Sequence, residues 1–330
     1  MSDGKQLGNK VIGLDIGHSS VKVSAKTEHG APVKMMFPSL VCRAFTIADE
    51  AEQQRADLET VEIDQRRYFF GDTAKTQGGK SVTMGLTEDW IQTQEHVVLL
   101  LGAMKKLASR GVSTERPVLV LGLPTHLYTR QKHQLIDIVK AHLDVADLFV
   151  VPQPMGPYQC QILEQNGKSN KSRNMAQESW GVVEVGHFTT DFMLVQNGRW
   201  VEKASGSCSG ISVATDHLVR LLEKHGITIS LLEAEEAMVT KTIRNFGKTL
   251  EVAADVGKAA DIVVAEVVDT ASRLLDGYAR KMDGVIIAGG GASVVFDRIT
   301  RKWPHAVQAE NPRFSVAEGM RRLGVRLATL

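Results

Sequence analysis

The chain has 330 residues, 43% of them apolar and 23% charged, and 39 basic side chains nearly balance 38 acidic ones. This length exceeds what a single compact core holds comfortably, so two domains are expected. A formal charge of +1 offers no basic excess or stripe, which argues against direct nucleic-acid binding.

In chain order, Met1 to Lys10 is polar, and no apolar run long enough to span a bilayer follows it. Neither secretion nor membrane insertion is expected. Val11 to Ile16 is an apolar run that ends at Gly17-His18-Ser19, and Ser20 to Ala25 resumes it, the grammar of a β-hairpin. Val33 to Phe37 adds a third strand. The charged, weakly periodic stretch Ala44 to Arg67 reads as a surface excursion or small subdomain, ending in the strand Tyr68-Phe69-Phe70. Its part from Asp49 to Arg67 is expected to be a solvated face. From Thr87 to Ser109, Trp90, Val97, Val98, Leu101 and Met104 fall near helical spacing. A strand over 118–121, a helix over 128–142 and a strand over 148–151 complete one α/β unit. Cys42, Cys160 and Cys208 are far apart and form no CxxC pair, so they read as free thiols of a reducing compartment. A cytoplasmic protein is expected.

Gln165 to Ser179 is polar and aperiodic and reads as a loop. Hairpin grammar then returns: Gly181 to Val185, a turn, Asp191 to Val195, and a further strand from Arg199 to Ala204. Helices are expected over 210–225, 230–240, 256–280 and 315–328, with a strand from Gly284 to Ala288. A meander with a glycine turn thus occurs near residue 11 and again near residue 181. Two related α/β halves facing one another explain it, with a ligand between the turns.

Three motifs carry chemistry. In Asp15-Ile16-Gly17-His18-Ser19-Ser20-Val21-Lys22, a tight turn aims backbone N–H groups into one concavity suited to phosphate oxygens. Gly17 lets the backbone approach closely, Ser19 and Ser20 add hydroxyl donors, and Lys22 adds a point charge. Asp15 suits the hydration shell of magnesium. Glu184-Val185-Gly186-His187-Phe188-Thr189-Thr190-Asp191 repeats this logic, with Thr189 and Thr190 as donors and Asp191 as a second carboxylate. Either turn alone is equally an ordinary surface hairpin. In Val285 to Ala292, the run Gly289-Gly290-Gly291-Ala292 follows a strand and precedes a helix, letting the backbone lie flat against a bulky group such as an adenosine. His18 and His187 sit in the turns as candidate contacts or as incidental imidazoles. Trp90, Trp180, Trp200 and Trp303 read as packing residues.

The order of these motifs, from Val11 to about Leu327, resembles the superfamily of actin, sugar kinases and DnaK-type chaperones. It resembles most the bacterial actin-like proteins of plasmid segregation, the ParM/StbA group. Four segments carry that likeness: Tyr68-Phe69-Phe70-Gly71-Asp72-Thr73-Ala74, Gly122-Leu123-Pro124 with Tyr128, Val151-Pro152-Gln153-Pro154, and Phe314 to Gly319. The resemblance implies an α/β fold of two actin-like, RNase H-like domains, residues 1–165 with 312–330 and residues 166–311, across a nucleotide cleft. It implies ATP or ADP with Mg²⁺. Asp15, Gly17, Ser19, Ser20 and Lys22 would hold phosphate and metal, and Gly186, Thr189 and Thr190 the facing wall. Gly289, Gly290 and Gly291 would lie beside the adenosine. Gln153 matches the position that orients the attacking water. The family usually has aspartate where this chain has Glu184, which would hold metal-bound water or share in positioning the attacking water.

The function so implied is a filament-forming ATPase whose partners are copies of itself and a DNA-binding adaptor. A sugar kinase is a second class, because Glu184-Val185-Gly186-His187 echoes the ExGH signature of ROK kinases, but the CxCGxxGC motif that follows it there is missing. An exopolyphosphatase-like enzyme is a third. A membrane-bound, shape-determining actin would need an amphipathic N-terminal anchor, which the sequence does not show.

Overall fold

The computed structural model describes residues 10–83, 85 and 87–329, so the polar start before Lys10 lies outside the described residues. Contacts divide the chain into two units, one running to Met175 and resuming at Glu310, the other spanning Ala176–Ala309.

In the first unit, β1 (Val11–Ile16) is buried along its whole length. It pairs antiparallel with β2 (Ser20–Lys26), which pairs with β3 (Pro32–Pro38). The stretch expected as an excursion folds as a small subdomain. After β4 (Val41–Arg43), Asp49 caps α1 (Glu50–Leu58) by accepting from Glu52 N–H, and β5 (Thr60–Ile63) and β6 (Arg66–Phe70) follow. These strands form a sheet of order β4-β6-β5. The outer side of α1 is solvated as expected, yet Val61, Ile63, Tyr68 and Phe70 join the unit's core. Alternation within short strands hides such residues among charges.

After α2 (Gly71–Gln77), the expected helix over 87–109 divides. Trp90–Gln92 is a single 3₁₀ turn, and Thr93, whose side chain accepts from His96 N–H, starts α3 (Gln94–Ala108). A capping threonine supplies the acceptor that the first helical turn lacks, which fixes the start there. Then β7 (Val118–Leu123), α4 (Tyr128–His142) and β8 (Asp147–Pro152) extend the main sheet in parallel, giving the order β3-β2-β1-β7-β8. A short helix, α5 (Met155–Ile162), follows.

The polar segment after residue 164 is tied to the first unit. Arg321 Nη2 donates to the Gln165 carbonyl at 3.1 Å, and Arg326 Nη1 to Ser169 Oγ at 2.9 Å. Residues 166–175 therefore group with that unit, and Ser179, expected in the loop, already opens a strand.

The second unit begins with β9 (Ser179–Val185), β10 (Thr189–Gln196) and β11 (Arg199–Trp200). The strand expected to reach Ala204 stops at Trp200. The chain makes a 3₁₀ turn over Glu202–Ala204 and returns as β12 (Gly206–Ser209), which pairs with β10 from Thr189 to Phe192. Next come α6 (Ser212–Lys224) and α7 (Leu231–Thr240), which opens with a capping box between Ser230 and Glu233. A hairpin of β13 (Thr242–Asn245) and β14 (Lys248–Glu251) leads into α8 (Ala253–Ala279). β15 (Gly284–Ala288), α9 (Ala292–Lys302) and β16 (Ala306–Gln308) complete the sheet order β11-β10-β9-β15-β16. Each unit has its own apolar core. Among the described residues no helix is long and apolar enough to cross a membrane.

The last helix, α10 (Ser315–Ala328), returns to the first unit. Its buried Glu318 accepts from Ser24 Oγ at 2.6 Å, from Arg322 Nε at 2.8 Å and from Arg321 Nη2 at 3.1 Å. Burial alone would push this carboxyl up, but Arg321 and the hydrogen bonds from Ser24 and Arg322 outweigh it and hold it at about 2. Removing one partner of a buried ion pair leaves the other charge stranded, at a cost of roughly 3–5 kcal/mol. Glu318→Ala is therefore expected to lower the urea midpoint of the first unit by a corresponding amount, while Glu310→Ala, at an exposed position, leaves it unchanged.

Candidate functional site

The turn after β1 lies at the end of a register that sets Asp15 directly opposite Lys22. Residues opposed in an antiparallel pair share a face, so the two side chains meet: Lys22 Nζ lies 3.2 Å from Asp15 Oδ2. The other carboxylate oxygen accepts from Gln153 Nε2 at 3.1 Å. Gln153 stands just past β8, and its N–H donates to the Leu123 carbonyl at the end of β7. Three separate segments thus bring Asp15, Lys22 and Gln153 together.

The turn itself is clamped from behind. Ser39 is fully buried; its Oγ donates to the Gly17 carbonyl at 2.5 Å and its N–H to the Ser19 carbonyl at 2.9 Å. Trp90 Nε1 donates to the Ile16 carbonyl at 3.1 Å. His18 stacks on the Trp90 ring with centroids 5.6 Å apart, and its Nε2 lies 3.3 Å from the Thr87 carbonyl. His96 meets the same ring edge-on. Ser19 and Ser20 remain half-exposed at the tip. Sequence reasoning missed Ser39, and took Trp90 for packing alone. The signal for Ser39 was a lone hydroxyl in the otherwise apolar run from Met35 to Val41.

In the second unit the same register recurs. Asp191 stands opposite Glu184, as Lys22 stands opposite Asp15, and both are buried. Asp191 accepts from Thr189 Oγ1 and from Ser207 Oγ, each at 2.7 Å. A side chain at Gly17 would place its Cβ 3.1 Å from the Ser20 carbonyl oxygen, and one at Gly186 only 2.7 Å from that of Thr189. The second turn therefore needs a glycine, and the first favours one at the same place. His187 Nε2 lies 3.1 Å from Glu235 Oε1 on α7. His18 and His187 each turn toward their own unit.

Alternation along β10 separates the two threonines that the sequence pairs. Thr189 shares a face with Asp191, whereas Thr190 faces the core and donates to the Ser209 carbonyl at 3.0 Å. The returning strand β12 adds Ser207 and Ser209, and Ser209 donates through both N–H and Oγ to Glu266 of α8. The glycine run is equally unequal. Gly289 has φ +87°, and a Cβ there would come 2.5 Å from Glu184 Oε1. Gly291 is packed by Ile211 and Val185, and Ala292 is buried. Only Gly290 opens onto free space within 4 Å. Gly289 and Gly291 thus shape the turn, and Gly290 is the one that leaves room for a ligand.

The chain belongs to the actin-like proteins: residues 13–156 match the actin-like protein N-terminal domain, and residues 182–301 the C-terminal domain of the archaeal actin homologue, MreB-like. No curated protein matches its sequence. Among solved structures, the pCBH ParM non-polymerisable quadruple mutant is 18% identical with a TM-score of 0.76, over 95% of this chain and 98% of that one. A 15-stranded ParM filament from Clostridium botulinum is 17% identical with a TM-score of 0.73, over 95% and 98%. The archaeal actin homologue Ta0583 in complex with ADP is 19% identical with a TM-score of 0.70, over 94% and 97%. At such identities the likeness is one of fold.

The imidazoles behind the first turn have a consequence for stability. Burial pushes His18 down to about 4, against smaller opposing effects of the Thr87 carbonyl and Asp15. Burial also pushes His96 down to about 3, helped by His18. Both values lie below the 6.5 of an unfolded chain, so below that pH the unfolded state binds more protons than the folded one. Stability is then full above about pH 6.5, falls as the pH drops below it, and levels off once the pH is under about 4 for His18 and about 3 for His96. Denaturant midpoints measured from neutral pH down to about pH 5 are expected to decline. The decline should be shallower in His96→Leu.

Proposed function

We propose that this chain is an ATPase that binds ATP-Mg²⁺ with both glycine turns, assembles head-to-tail into filaments, and is destabilised as a polymer by hydrolysis. The observation that carries the reading is the repeated register: Asp15 opposite Lys22 and Glu184 opposite Asp191, each with a glycine two residues on whose Cβ would crowd the turn's own backbone. A turn built twice in this way supports a ligand with phosphates for both. The ParM filament and the ADP complex among the structures of similar fold favour the same reading.

Roles follow from the chemistry of each group. Lys22 is compact and cationic, and a bound polyphosphate would give it a second anion beside Asp15. The N–H groups of both turns, with the hydroxyls of Ser19, Ser20 and Thr189, would donate to phosphate oxygens. Asp15 and Glu184 each offer a single carboxylate, a donor set suited to an ion that keeps its waters. Magnesium, when bound, neutralises charge on the phosphates. Thr190, Asp191, Gly289, Gly291 and Ala292 act by holding the turns in shape. Gly290 leaves the adenosine its place. Gln153 has no basic group, so its part is to orient the attacking water from its seat on Asp15.

Plasmid DNA is the cargo we infer, held through a DNA-binding adaptor, since a formal charge of +1 gives the chain itself no grip on phosphate backbones. The setting is the cytoplasm. Right-angle light scattering with ATP should show assembly above a critical concentration, followed by phosphate release. Asp15→Ala should abolish nucleotide-dependent scattering. Gln153→Ala should assemble but release phosphate on the order of 10–100-fold more slowly. Robust phosphorylation of a sugar without scattering would replace this reading with a kinase.

A further inference from the structure

One surface residue breaks two local rules at once. Asn245 pairs with Lys248, so the β13–β14 hairpin closes with the two-residue loop Phe246-Gly247. Both loop residues have positive φ, 46° and 81°. Such loops take Asn, Asp or Gly at the first position, because a bulky side chain is strained there. Phe246 is nonetheless phenylalanine, and it is fully exposed at 101% of its reference area. It gains nothing from its own fold and carries both a backbone and a hydration cost. A residue that violates local preference without an internal return points to a contact outside the chain.

We propose that the 242–251 hairpin is an assembly element that inserts Phe246 into a second copy of this chain. The proposal rests on the filament reading. The flanking Arg244 and Lys248 are exposed, so the tip is an aromatic group between cations and calls for an apolar spot rimmed by carboxylates. The chain carries a candidate complement on α8: Ile262 is 43% exposed next to Asp261, whose side chain is 72% exposed and 4.0 Å from Arg298. A projecting group that meets a different patch on an identical partner makes a heterologous contact, the kind that propagates into filaments.

The hairpin is also placed to respond to the nucleotide turn. It continues directly from α7, whose C-cap Lys241 has left-handed geometry, and Glu235 of α7 touches His187 in the Gly186 turn. A shift of that turn would reach the tip through one rigid helix.

The test is sedimentation with ATP of the wild type and of Phe246→Asn, a residue that accepts the turn's backbone. The variant should bind ATP as the wild type does and melt at the same temperature or higher. Its critical concentration should rise roughly tenfold or more, as expected from losing one buried aromatic ring. A photo-reactive benzoylphenylalanine at position 246 should cross-link purified polymer to peptides of the same chain. Equal critical concentrations would overturn the inference while leaving the filament reading intact. A lower melting temperature in the variant would show that the ring serves the fold, and would overturn it too. A wild type that does not sediment with ATP would remove the filament reading and this contact together.

Discussion

The hairpin register that puts Asp15 opposite Lys22 is the constraint on which the rest depends. Side chains in a strand alternate, so a slip of one residue would send Asp15 into the apolar face and Ile16 into the turn. The register is held from both faces. Ile12, Leu14, Val21 and Val23 are locked into one core, and Ser24 on the opposite face is hydrogen-bonded by Glu318. The C-terminal helix thereby fixes the position of a residue near the start of the chain. Neither charge of the Asp15–Lys22 pair is left alone in the interior, which is why both are tolerated there.

The second unit uses the same scaffold with different electrostatics. Where β2 supplies a lysine, β10 supplies Asp191, so two carboxylates stand opposite one another in the sheet. Like charges in that position oppose folding, and hydroxyl donors from Thr189 and Ser207 offset part of the cost at Asp191. One turn thus pairs a carboxylate with a cation that can turn to an anionic ligand, and the other pairs it with a second carboxylate. The side chain of Glu184 reaches the Gly289 turn, where a Cβ would come 2.5 Å from its Oε1. That closeness ties the Gly186 turn to the glycine run within one unit.

The aromatic layer behind the first turn adds stiffness of another kind. Trp90 is hydrogen-bonded to the Ile16 carbonyl and flanked by His18 and His96, so the turn rests on a packed ring system. Neutral imidazoles fit that buried layer and charged ones do not.

Much of this was legible from the amino-acid order. An apolar run of six residues from Val11, a glycine turn, and a second copy of that grammar near residue 181 were enough for the paired strands and the two α/β halves. Local periodicity and turn chemistry act over a few residues, and a sequence displays them directly. Contacts between distant segments are not displayed. That Gln153 reaches Asp15, that Ser39 holds the turn, that β12 returns beside β10, and that Thr189 and Thr190 part to opposite faces were decided by tertiary structure. Each depends on strand register and on segments brought together only by burying a common core, and no local spacing encodes that.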